Sequence, residues 1–211
     1  MNTNRLIVLA VAICGALPCY AAEPESEATR NRALSAPAAD LAQGYLWVKM
    51  MTAMMPPASK EGKMYQERLS IYRDAIKQRG YKNIAGAYRG KATESCARIR
   101  STWAGLVLKH GADSIPITQD GFEAKITIAL EHKGEKVDFD IPGIIVESSI
   151  VLQEPLNSDY FFQGVIKDRK IEFKPDAAVL RTWPQWAGAP DRKDLKRCTI
   201  TLVLASGDSE T

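Results

Sequence analysis

The sequence predicts an α+β protein: an N-terminal antiparallel helical hairpin, then an antiparallel β meander of about eight strands, barrel-like or sandwich, tied by one disulfide. Three observations predict it. Apolar residues recur at three- and four-residue spacing up to Tyr81 and at every second position after Lys82. Turn residues punctuate the second part at roughly 8 to 12 residue intervals. Two cysteines, Cys96 and Cys198, stand near the two ends of that second part.

The hairpin occupies 34–81. Ser35 is placed to cap its first helix, and Pro37 suits a first turn. Leu41, Tyr45, Val48, Met51 and Met55 then form one apolar face, and Pro56-Pro57 ends it because proline cannot continue the hydrogen-bond ladder. Ser59 starts the second helix, Tyr65, Leu69, Tyr72 and Ile76 form its stripe, and Gly80 stops it. The polar stretch before the hairpin, 23–33, reads as a flexible leader.

The β domain is expected over 82–206, with a disordered tail at 207–211. Ile84 to Thr93 opens the sheet, and its same-face glycines, Gly86 and Gly90, leave that face sparse. Phe122, Ala124, Ile126, Ile128 and Leu130 alternate with polar residues, as a strand with one wet face does. Val137, Phe139 and Ile141 do the same. Ile144, Val146, Ile150 and Leu152 are expected to share a face, as are Tyr160, Phe162 and Ile166. Ile171 and Phe173 follow, and Ile200, Leu202 and Leu204 close the series. Asp120-Gly121, Lys133-Gly134, Pro142-Gly143 and Asp168-Arg169 supply turns.

The first 22 residues read as a cleavable export signal. Arg5 gives a positive start, Leu6 to Ala16 is an apolar run too short to span a bilayer, and Ala21-Ala22 offers a cleavage site. Cys19 follows Pro18, where a lipoprotein signal wants a small residue. The expected location is therefore periplasmic or secreted. Cys14 and Cys19 leave with the signal, and Cys96 and Cys198 remain as a pair that an oxidising compartment joins. A bond between the two ends of a meander favours a closed barrel over an open sheet.

Net charge is +3 for the whole chain, too mild for a nucleic-acid-binding protein, so no such partner is expected. No cofactor or catalytic motif is present. His110 and His132 lack further ligands at metal-binding spacing. Met50, Met51, Met54 and Met55 form two i,i+4 pairs, which soft metals accept but which packing or a partner contact explains more simply. A triad built from His132 with Ser148 or Ser149 is conceivable only through tertiary geometry. Asp138 and Asp140 could serve as paired carboxylates, but they lie opposite Phe139 and read as a solvated face.

The most unusual stretch runs from Thr182 to Arg197. Trp183 and Trp186, with Arg192 and Lys193, are of the residue types in which binding energy concentrates, and they are the expected partner-binding residues. Export, a disulfide-tied β domain and the lack of catalytic motifs imply a non-catalytic envelope binding protein. Its expected partner is a protein, such as a toxic or cell-wall-degrading enzyme that it inhibits. The domain also resembles lipocalin-type barrels in general shape, which implies the alternative of a carrier for a small apolar ligand. An envelope hydrolase with dispersed catalytic residues is the third reading.

Overall fold

The computed structural model describes residues 25–99, 101–132, 135–153, 161–176 and 192–205. The expected signal, Trp183, Trp186 and the tail lie outside the described residues. Eight antiparallel strands form a closed barrel: β1 Gly86–Ala92, β2 Ile115–Asp120, β3 Glu123–His132, β4 Glu135–Val146, β5 Ser149–Gln153, β6 Phe161–Lys167, β7 Lys170–Pro175 and β8 Ile200–Leu204. Each strand pairs with its neighbours in sequence, and β8 closes on β1 from Tyr88↔Leu204 to Ala92↔Ile200. The barrel, not the sandwich, is therefore the form adopted. Five α-helices accompany it among the described residues: α1 Glu25–Ser35, α2 Ala38–Met54, α3 Lys60–Arg79, α4 Thr102–His110 and α5 Arg192–Arg197.

Helix α1 corrects the expectation of a leader without structure. Its Ala33 is buried beside α2 and α3, so a single apolar contact face holds an otherwise polar segment. Ser35 ends α1, where its hydroxyl donates to the Arg32 carbonyl, and does not cap α2; Pro37 stands at that N-cap. Ser59 does cap α3, accepting from the Gly62 N–H at 2.9 Å. Gly80, at φ 82°, ends α3 in the left-handed region that suits glycine.

Two cores lie back to back across one wall of the barrel. The inner core fills the barrel with side chains such as Ile126, Ile141, Ile150, Phe162, Phe173 and Leu202. The outer core joins Leu41, Tyr45, Ile71 and Ile76 of the helices to Ile144, Val146, Val151 and Phe161 of the wall. Strands buried on both faces read as continuous apolar runs. That is why Ile144-Ile145-Val146 and Ile150-Val151-Leu152 break the alternation seen in β3.

The expected common face of Ile144, Val146, Ile150 and Leu152 is corrected here. Ile144 and Val146 face the helices, whereas Ile150 and Leu152 face the interior. Glu147 and Ser148 make a two-residue turn, so Val146 pairs with Ser149 and Ile145 with Ile150. A two-residue turn pairs i with i+3, which exchanges odd and even positions between the strands.

The sparse glycine face is also corrected. A side-chain carbon at Gly90 would lie 3.0 Å from each of Ile115, Leu202 and Val107. Val107 belongs to α4, which closes this end of the barrel. Trp103 of the same helix, 1% exposed, meets Phe173 edge-on at 5.9 Å. The glycine admits a helix to the barrel wall, and the space is taken.

Candidate functional site

Disulfide and barrel end. Cys96 and Cys198 are bonded, with Cα atoms 4.6 Å apart. Cys96 sits in a short 3₁₀ turn, Glu94–Arg98, just after β1; Cys198 lies just before β8. The bond thus crosses the β1–β8 seam, and both cysteines are fully buried. Residues 192–197, part of the stretch expected to bind a partner, are helical as α5. Leu195 is buried in the inner core and Asp194 pairs with Arg98 at 3.4 Å. Leu195 gives that basic segment an apolar anchor, which accounts for its order. Of the expected partner-binding residues, Lys193 is exposed on α5. Arg192 opens the helix, and its side chain lies outside the described residues.

Polar cleft. A cleft of about 380 Å³ opens on the outer surface of β2, β3 and β4, lined by Asp120, Glu123, Lys125 and Asp140 among others. Tyr45 donates to Glu123 Oε1 at 2.6 Å, and Lys49 reaches Oε2 at 2.6 Å. Burial alone pushes the Glu123 carboxyl up, but these hydrogen bonds outweigh it and hold the group below its ordinary value. Burial, reinforced by the Glu123 charge, pushes the Tyr45 phenol up to about 12. At Asp140 the Thr127 hydroxyl, at 2.7 Å, and Lys125, at 3.0 Å, hold the carboxyl down. Both carboxylates are thus ionised and ion-paired, the opposite of a general acid, whose pKa is raised towards neutrality. Asp138 is exposed on β4, next to this cleft in sequence but not among its lining residues.

The conceivable triad does not assemble. His132 pairs with Glu135 at one end of β4, and Ser149 pairs with Val146 at the other. Eleven residues of extended strand separate those positions, roughly 35 Å. His110 lies elsewhere, at the end of α4, 3.8 Å from Asp113. Among the described residues, no three histidine, cysteine or acidic side chains gather as a metal site.

Helix end and basic face. The methionines depart from the expected core stripe. The buried face of α2 ends at Val48, and Met51 and Met55 are only half-buried. Met54 is 68% exposed, and Trp47, 38% exposed, stacks edge-on with Tyr65 at 5.7 Å. Apolar residues therefore line both faces of α2, whose only charges are Asp40 and Lys49. On the other side of the barrel, the outer faces of β6, β7, β8 and β1 carry Lys167, Lys170, Lys174, Arg89 and Lys91. Sequence reading missed this face because its cations are scattered along the chain and only strand register gathers them. It also missed α4, although Ser101 before Trp103, Ala104 and Val107 is a readable cap-and-stripe pattern.

No helix among the described residues is long and apolar enough to cross a membrane. No family model, curated protein or solved structure matches this chain.

Proposed function

We propose that this chain is an exported, non-catalytic envelope binding protein that recognises a protein partner with its outer surface, as an inhibitor of or immunity factor against a toxic or cell-wall-degrading enzyme. Helices α2 and α3 act in this reading as a hairpin whose outward α2 face makes the contact. The observation that carries it is the outward face of α2. Large apolar residues on two faces of a helix are ordinarily covered on both, yet Trp47 and Met54 stand exposed here. Tryptophan concentrates binding energy at interfaces, and methionine adapts its shape to a partner. The close packing over Gly90 supports a reading in which recognition uses the outside of the barrel. The segment of Trp183 and Trp186, with Arg192 and Lys193, is a second contact in this proposal.

The test is affinity capture from an envelope extract by the chain lacking residues 1–22, which keeps every described element. One enzyme should be retained saturably and lose activity when bound. Trp47→Ser/Met54→Ser should release it while leaving the melting temperature within a few degrees. Retention of a stoichiometric apolar small molecule, with no protein, would instead establish the carrier. Secretion tests the export step: the processed chain should begin at Ala22 or Glu23.

A further inference from the structure

We propose that the outer face formed by β6, β7, β8 and β1 docks on the surface of an anionic lipid bilayer. Strand register builds the face. Arg89 lies opposite Val203, Val203 opposite Lys170, and Lys170 opposite Lys167, giving one row across four strands. The next row runs Lys91, Thr201, Glu172 and Val165. Neighbouring strands lie roughly 4.8 Å apart, so each row is a dense array. Lys174 continues the face along β7, and Arg169 stands in the turn between Lys167 and Lys170. Six cations thus face two acids, Glu172 and Asp168, an excess larger than the net charge of +3 carried by the whole chain. The rest of the chain then sums to only −1 (+3 − 4), so the cationic excess sits on this face and orients it towards an anionic plane.

The chemistry of the face selects a bilayer over other anions. Four of its six cations are lysines, and no aromatic side chain lies in either row. Protein interfaces are depleted in lysine and enriched in aromatic residues, and single-stranded nucleic acid needs aromatic platforms. Val165 and Val203, each 47% exposed, stand among the cations. Aliphatic side chains flanked by flexible lysines suit a fluid headgroup layer, where each ammonium acts as a point charge. A barrel spanning the bilayer would need an apolar outer band, which these rows interrupt, so the contact is with the surface. Lys167 and Lys170 are directly opposite each other, an arrangement that opposes folding and is relieved by bound anions. In the ring, β8 and β1 lie halfway round from β4 and β5, on which α2 packs. Docking therefore leaves the exposed helix end free, and this inference stands independently of the protein-partner reading.

The experiment is flotation of the chain lacking residues 1–22 with vesicles of equal parts phosphatidylglycerol and phosphatidylcholine. The probe variant is Arg89→Gln/Lys167→Gln, which leaves the Lys170–Glu172 ion pair in place. Each cation near such a surface contributes about fivefold, so the double variant should bind roughly 25-fold more weakly. Its melting temperature should not fall, because a like-charge pair is removed. Binding should also weaken from low salt to physiological salt and be absent from phosphatidylcholine alone. Millimolar inorganic phosphate should not compete, since no discrete phosphate pocket is invoked. Equal binding to neutral vesicles, wild-type affinity in the double variant, or tighter binding to a soluble acidic polymer than to vesicles would each overturn the proposal.

Discussion

Tyr45 shows how one residue ties the two layers together. Its ring packs edge-on against Phe122 at 5.1 Å, and its hydroxyl holds Glu123 at the mouth of the cleft. The two groups set opposite pH limits. An unfolded tyrosine ionises near its ordinary value of 10, whereas Tyr45 holds its proton up to about 12. Its contribution is therefore complete below pH 10 and is lost as pH rises towards 12. Glu123 is held below its ordinary value, so its contribution is present at neutral pH and lost as pH falls through the depressed value. Denaturant titration at a series of pH values should show Tyr45→Phe flattening the alkaline limb by roughly 1 to 2 kcal/mol. Glu123→Gln should flatten the acid limb instead. An unchanged alkaline slope in Tyr45→Phe would show that the phenol is not held in its neutral form. Tyr45 was legible in sequence as a core residue; its link to Glu123 was not, because 78 residues separate them.

Among elements, helix α4 decides what the barrel can hold. Val107 fills the space above Gly90, and Trp103 reaches Phe173 on the far strand. The Gly90 N–H also donates to the Gly111 carbonyl at the end of this helix. Gly90→Ala should therefore destabilise the protein by about 1 to 3 kcal/mol, the usual cost of overpacking, measured by urea denaturation. A neutral or stabilising effect would reveal room in the interior and revive the carrier. Element type was largely readable, because periods of 3.6 and 2 are properties of neighbouring residues. Face assignment across a turn was not: Val146 and Ile150 share parity in sequence but not in space, since turn length sets register. Helix α2 makes the same point. Its apolar residues were readable as a helix, but which of them are covered depends on where β4 and β5 lie.

At the scale of the molecule, the β1–β8 ladder and the disulfide act on the same seam. The bond joins residues 102 apart. In the chain-entropy description a loop of that length stabilises the folded state by about 4 to 5 kcal/mol. Cys96→Ala/Cys198→Ala should lower the unfolding free energy measured in urea by that amount, with the slope altered because the unfolded chain expands. A loss below about 1 kcal/mol would mean that the ladder alone closes the barrel, since a long-loop bond is otherwise worth several times that. Because both cysteines are fully buried, reductant should cut the bond at the rate of local opening, faster in mild urea than in water.

The sequence by itself determined the two helical segments, the meander and the paired cysteines, because each is written in local spacing or in a short inventory. The tertiary structure decided that the meander closes, that α4 fills it and that α2 covers β4 and β5. It also gathered Arg89, Lys167 and Lys170 into one row from separate strands. Local pattern specifies which residues avoid water; long-range register specifies which neighbours they meet, and surfaces are made from neighbours.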